Sequence, residues 1–443
     1  MGDTTRQETG WHEHPVKPET DDQQADALNS DRIHTLDAVR GMAVMGILLM
    51  NIVALGMPVY AYIDPSYHGL NGPADAMVWA INYVLSEGKF RALFTMLFGA
   101  SMVVIAERAD ASPDGRGPAM THYQRMVWLF VIGMIHAWCF WYGDILVQYA
   151  IGGMLGFLVW RWRPRALWLF FAAMITLQAA SSYSHYATLA PVRAAAMAPG
   201  ATPGAIAAWD ARIAKEVPTK AEAIKEIKGY RGDLTSVFNT RVPTTIFFQT
   251  FIAPSTLPEI FAFMAFGILL FRNGFLTGNR TRRSYWLVIG VGYLVAAPLT
   301  ALLASRLSAA QFDPAMLALC DTGSLLLRPF IAAAHAAVII LIVNSGRAGA
   351  FASRIEGVGR MALSNYLGTT LITTTLFYGY GFGLFGQLGR AQLYLVVAVI
   401  WILMLLWSQP WLARYHFGPV EWLWRSLARW QRQPMRRQQR YCD

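Results

Sequence analysis

Apolar runs of about twenty residues recur along most of this chain, separated by short links that carry arginine. A run of that length spans the hydrocarbon core of a bilayer as a helix, with every backbone polar group satisfied inside the segment. Ten such segments are read, at about 39–59, 90–106, 122–142, 144–160, 165–189, 257–271, 284–305, 319–343, 358–378 and 391–411. The expected fold class is therefore all-α, an integral membrane bundle of about ten transmembrane helices. Charged residues make up 14% of the chain, against roughly 25% in a soluble domain, which argues against a string of soluble domains.

The arginines set an orientation. Arg108 and Arg116, Arg161 to Arg165, Arg272 to Arg283, Arg347 to Arg360, and Arg414 onward fall in alternate links. The short turns between carry almost none, so the positive-inside rule puts both chain ends in the cytoplasm of a bacterial inner membrane. The net charge of +10 is explained this way without nucleic acid. Residues 1–31 are polar and acidic and are expected to be a disordered tail, with His12-Glu13-His14 as a weak metal motif. Residues 32–425 form the membrane domain, and 426–443 a basic cytoplasmic tail. An extracytoplasmic insert, 190–242, carries two helix starts: Thr202 before Pro203, and a capping box from Thr219 to Glu222. The links 74–85 and 244–254 read as segments dipping into the interface, and Pro298 as a kink. Cys139, Cys320 and Cys442 form no metal or disulfide pattern, and no GxxxxGK[ST] loop points to ATP.

Polar groups inside apolar helices are costly, so each one needs a reason. Residues 125–161 form a helical hairpin with its turn at Tyr142-Gly143. His136 lies about 8 Å below that tip at 1.5 Å per residue, and Asp144 follows the turn. His136 is either a general base or a buried histidine bonded to a neighbouring helix. Asp144 either orients it or caps the next helix. Asp321, Arg328 and His335 are spaced by seven, which puts them on one helical face. Arg328, near mid-membrane, needs a carboxylate, and Glu259 is a candidate. Lys89 and Arg91 stand on the otherwise uncharged outer side, where they either bind an anionic substrate or snorkel to lipid phosphate. Asp37 and Arg40, three apart, read as a structural pair at the entrance of the first helix. Trp138, Trp141, Trp422 and Trp424 read as interfacial anchors.

Several motifs then occur in a fixed order: Asp37-Ala-Val-Arg40-Gly41, Gly88-Lys89-Phe90, Leu97-Phe98-Gly99-Ala100, Gly133-x-x-His136, Gly143-Asp144-Ile-Leu, Gly359 to Tyr366, and Phe417-Gly-Pro-Val-Glu421-Trp-Leu-Trp-Arg425. This series closely resembles the YeiB family of bacterial polytopic membrane proteins, over about 32–425. The Asp-x-x-Arg-Gly opening is more distantly similar to heparan-α-glucosaminide N-acetyltransferase and other membrane acyltransferases. Their acetyl-transfer histidine lies in the first outer loop, where His68 is the nearest position here and Asp75 follows.

Two functions are carried forward. The first is an acyltransferase-like enzyme acting at the extracytoplasmic side on an anionic or lipid-linked substrate, with acyl-CoA or another acyl donor. In it His136, Asp144, Asp75 and His68 are the catalytic candidates, and Lys89, Arg91, Glu259, Asp321, Arg328 and His335 line the substrate. The second is a transporter of a small anionic or amphipathic molecule. Membrane lipids are the expected surroundings, no nucleic acid is expected, and a homo-oligomer stays open. The site is expected as a cavity in the outer half, floored by 122–142 and 319–343 and roofed by the 58–89 loop.

Overall fold

A computed structural model describes residues 33–111, 117–347 and 349–437. The acidic tail with His12-Glu13-His14, Arg116 and Cys442 lie outside the described residues. Among the described residues there are helices and no strands: α1 His34–Gly56, α2 Pro73–Leu85, α3 Lys89–Asp110, α4 Pro118–Cys139, α5 Leu146–Val159, α6 Pro164–Ala196, α7 Pro203–Glu216, α8 Lys220–Tyr230, α9 Leu234–Ser255, α10 Leu257–Arg272, α11 Arg282–Ala309, α12 Pro314–Asn344, α13 Gly349–Arg360, α14 Ala362–Phe377, α15 Arg390–Arg414 and α16 Pro419–Arg429.

All ten segments read from the sequence are helical. Among the described residues, six spans are long and apolar enough to cross a membrane: α1, α2 with α3, α6, α11, α12 and α15. A seventh follows if α9 and α10, bent by 53°, count as one. The architecture is that of a multi-pass helical membrane protein. Burial sorts the helices. In α1 78% of the apolar window is buried, against 11% in α6 and 28% in α11 and α15. The first is therefore the axis of the bundle. The others turn apolar side chains such as Leu169, Leu177, Leu294, Leu395 and Ile402 outward, as the outer helices of a membrane bundle do.

Small residues let the interior helices touch. A Cβ on Gly267 of α10 would lie 1.9 Å from the Met96 carbonyl, and one on Gly99 of α3 would lie 2.3 Å from the Met264 carbonyl. The two backbones are in reciprocal contact, the kind of packing that replaces hydrophobic drive in lipid.

Several boundaries shift by a few residues from the sequence reading, and three departures have a visible physical cause. α6 runs through Pro191 to Ala196 instead of ending near 189. Its last turns are held from outside, by Leu189 packed with Trp209 and by Arg193 paired to Asp313 at 3.0 Å. The segment 358–378 is two helices broken at Met361. The break is fixed by Glu421, sixty residues on, whose carboxylate accepts the Leu363 amide at 2.7 Å and the Ser364 amide at 2.9 Å, capping α14 from another helix. In α11 a π-helical stretch, Val291–Ala296, lies just before Pro298, with the Ala297 amide donating to the Gly292 carbonyl. The insert's two capped helices form as read, with Thr202 accepting from Ala205 and the Thr219–Glu222 box closed both ways.

The bundle has two unlike ends. At one, Ile33, Arg108, Arg125, Arg360 and Arg425 converge. At the other, the insert seals the turns. Glu226 accepts the Val59 amide, Arg231 donates to the Phe385 carbonyl, and Arg241 donates to the carbonyls of Trp138 and Phe140.

Candidate functional site

The hairpin α4–α5 builds a buried polar triad. Gly133 lets α5 close on α4, since a Cβ there would stand 2.7 Å from the Val147 nitrogen. That approach brings Asp144 beside His136, one turn further along α4. Asp144 Oδ1 lies 2.7 Å from His136 Nδ1, and Oδ2 accepts the Val147 amide at 2.8 Å. The two roles read from the sequence are thus filled by one carboxylate, one oxygen each. In the tautomer with its proton on Nδ1, His136 donates to Asp144 and leaves Nε2 as an acceptor. Thr370 of α14 sits 3.0 Å from it and donates its hydroxyl. His136 is 2% exposed, with the rings of Phe140, Trp141 and Tyr366 around it.

The main cavity is not in the outer half. It holds about 360 Å³ and opens at the arginine-rich end. Its mouth carries Arg40, Arg108, Arg125, Arg360, Arg425 and Arg429 against two acids, Asp37 and Glu421. Both acids are already engaged, Asp37 with Arg40 at 2.8 Å and Glu421 as the cap of α14. Arg125 stacks on Trp424 at 4.3 Å, and its buried Nε has no hydrogen-bond partner. Deeper, the walls turn apolar: Val44, Ile47, Phe94, Leu97, Phe98 and Leu129, ending at Tyr149 and Tyr366. A second void of about 10 Å³ shares Val44, Ile47 and Tyr366 and is bounded beyond them by Asn51, Thr369 and Thr370. The order from the mouth inward is therefore a basic rim, an apolar shaft, Tyr366, a small void, and then the hydroxyl of Thr370 on His136.

Among the site candidates and the pair Asp37 and Arg40 read from the sequence, the pair lines this cavity; His136 and Asp144 do not, and the others lie elsewhere. Lys89 is wholly buried and donates to the Tyr83 carbonyl at 2.7 Å and to Ser324 at 3.3 Å. Arg91 pairs with Glu259 at 3.1 Å. Arg328 pairs with Glu259 at 3.0 Å, as its position demanded, and with Asp321. His335 bonds the Tyr293 hydroxyl at 2.6 Å and donates to the Leu85 carbonyl at 2.8 Å. Arg328 and His335 face the interior; Asp321 does not, with its side chain 55% exposed at the edge of the network. Seven residues fall slightly short of two full turns, and near the end of a helix that drift suffices to reach the surface. Asp75 accepts the Asn71 and Ala391 amides, capping α15, and His68 bonds the Gly386 carbonyl at 3.1 Å. Both tie the first outer loop to 386–391 rather than to His136. Asp37 and Arg40 pair as read and also form part of the cavity mouth.

Thr370 and Arg125 carry no mark in the sequence that singles them out, whereas Tyr366 closes the motif from Gly359 to Tyr366. Thr370 belongs to a run of threonines on α14, and a hydroxyl-rich face on an apolar helix was the available signal. Among the described residues no cluster of His, Cys, Asp or Glu could hold a metal ion.

Residues 270–431 match the family model described as Protein of unknown function (DUF418). The matched stretch supplies α11 to α16, including Tyr366, Thr370 and Glu421, while His136 and Asp144 lie before it. The chain is 31% identical over 404 residues to the uncharacterized protein YeiB of Escherichia coli (strain K12), covering 90% of this chain and 96% of that one. It is 25% identical over 422 residues to the uncharacterized protein YxaH of Bacillus subtilis (strain 168), covering 92% and 97%. An uncharacterized 39.9 kDa protein from Bacillus acidopullulyticus is 23% identical over 400 residues, covering 90% and 94%. No solved structure matches.

Proposed function

The chain belongs to the YeiB family of multi-pass membrane proteins, and we propose that it is a membrane acyltransferase whose donor, an acyl-CoA, enters from the arginine-rich end. The observation that carries this reading is the alignment of cavity and triad. A basic mouth suits the phosphates of the donor, an apolar shaft suits its acyl arm, and the shaft runs toward a hydroxyl bonded to the His136 imidazole. Guanidinium groups bind phosphate oxygens by charge-assisted hydrogen bonds, and Arg125, held against Trp424, is one of the arginines at that mouth.

In this reading His136 is the general base. Asp144 holds its tautomer and offsets the charge that appears when Nε2 takes a proton, the division of labour seen in other Asp–His–hydroxyl sites. The acceptor, an anionic or lipid-linked molecule, meets the acyl group near the hairpin tip beneath the insert. The orientation follows from the arginines: ten crossings, both ends of the chain in the cytoplasm of an inner membrane, and the insert outside. Transport is the weaker alternative. The polar stripe that suggested it, Asp321, Arg328 and His335, is bonded to neighbouring groups and stands off the cavity, as do Lys89 and Arg91, the expected anion grip of the acyl-transfer site.

The test uses the purified chain in lipid nanodiscs with acetyl-CoA and palmitoyl-CoA. Arg125→Glu should weaken donor binding at least tenfold and do so less at high salt. His136→Gln should leave binding intact and slow thioester turnover by about 100-fold or more. Binding that is indifferent to Arg125→Glu would remove the cavity from the mechanism and the reading with it.

A further inference from the structure

We infer that Thr370 carries the acyl group, as an O-acyl-threonine formed between donor and acceptor. This rests on the acyl-transfer reading above but does not follow from it, since His136 could equally activate the acceptor directly.

The geometry separates Thr370 from the other threonines of its helix. Thr369, Thr373, Thr374 and Thr375 each donate to a carbonyl of the preceding turn, and their hydroxyls are spent there. Thr370 makes the same kind of back-bond, to the Tyr366 carbonyl at 3.4 Å, and alone among them adds a contact to His136 Nε2, at 3.0 Å. Among the described residues it is the hydroxyl hydrogen-bonded to that imidazole, and the imidazole's other nitrogen is held by Asp144 at 2.7 Å. A hydroxyl in line with a base and an orienting carboxylate is an activated nucleophile. Thr370 also borders the small void that shares three walls with the donor cavity, and Asn51 lines the same void.

The placement explains why a relay is useful. The donor cavity opens at the arginine-rich end, whereas the triad lies by the hairpin tip that the insert covers. An acyl group parked on Thr370, within the triad, lets the donor leave before the acceptor arrives.

The steps balance. Thr370 Oγ attacks the thioester carbonyl as its proton moves to His136 Nε2. The carbon–sulfur bond breaks, and the departing thiolate takes that proton to become the free thiol. In the second half an acceptor hydroxyl or amine attacks the ester, its proton passes through Nε2 to Thr370 Oγ, and the threonine is restored.

The experiment is an acid quench of the full chain in nanodiscs after mixing with radiolabelled acetyl-CoA and no acceptor, followed by mass spectrometry of the peptide bearing Thr370. One acetyl group on Thr370 and one equivalent of released thiol are expected. The label should fall about 100-fold in Thr370→Ala and in His136→Gln and persist in Thr370→Ser, which keeps a hydroxyl and guards against a folding artefact. Donor binding is measured separately by equilibrium dialysis. Binding and turnover that survive Thr370→Ala, or label found on His136 or nowhere, would overturn the relay while leaving acyl transfer standing. Failure of acetyl-CoA to bind would overturn both.

Discussion

Raising the pH from 5 to 8 should loosen the insert helix α8 from the first outer loop. Glu226 is half-buried on α8, and its carboxylate accepts the Val59 amide at 3.0 Å. Burial pushes its carboxyl from 4.5 up to about 7, and the Val59 bond, which favours the charged form, does not cancel that. Between those values the docked helix holds a proton that the undocked helix has released. Docking is therefore firmest below about pH 4.5 and weakens as the pH rises through 7. At about 1.4 kcal/mol per pH unit the span is worth about 3 kcal/mol. Water on the exposed side of the carboxylate trims this to about 2 kcal/mol, roughly a thirtyfold change in the opening equilibrium. Hydrogen exchange of the amides at 59–62 and 227–230, corrected for the intrinsic pH dependence, reads it directly. Glu226→Gln keeps the carbonyl that receives Val59 but cannot ionise, so its protection should stay flat across the range. Protection in the natural chain that rises with pH, or an equal slope in the glutamine variant, would refute the reasoning.

Other outcomes follow from the same contacts. Glu259→Gln removes the charge shared by Arg91 and Arg328 and leaves two buried cations against Asp321; a loss of about 3–5 kcal/mol is expected, seen as a large drop in thermal midpoint in detergent, and an unchanged midpoint would show the network to be idle. Gly267→Ala pushes a methyl group into the Met96 carbonyl, which backbone cannot yield, and should cost about 1–3 kcal/mol in the same melt. A cysteine at position 206 in the insert should react with an impermeant maleimide in intact cells and one at position 282 should not; the reverse pattern would invert the topology.

How much the sequence disclosed depended on how far apart the interacting residues are. The hairpin, the Asp144 cap and the two insert helices rest on neighbours within a few positions, and all were legible. Arg328 needed a partner because charge is costly in an apolar helix, so even its distant mate Glu259 could be named. The cavity was not legible, because its mouth is assembled from α1, α3, α4, α13 and α16, whose arginines look in the sequence like ordinary topology signals. The break at Met361 was hidden for a similar reason: nothing near it stops a helix, and its cap is Glu421. His68 and Asp75 were drawn toward catalysis by resemblance, while their hydrogen bonds go to the turn before α15. Thr370 stayed invisible because only the packing of α14 on α4 separates it from the threonines beside it.

The most direct measurement is a cryo-electron microscopy map of the full chain in nanodiscs with a non-hydrolysable acyl-CoA thioether. Density should fill the cavity, with the phosphates against Arg125 and Arg425 and the carbonyl carbon close to Thr370 Oγ. A ligand seated on the lipid-facing surface, or one in the cavity whose acyl end points away from Tyr366 and Thr370, would contradict acyl transfer at this triad.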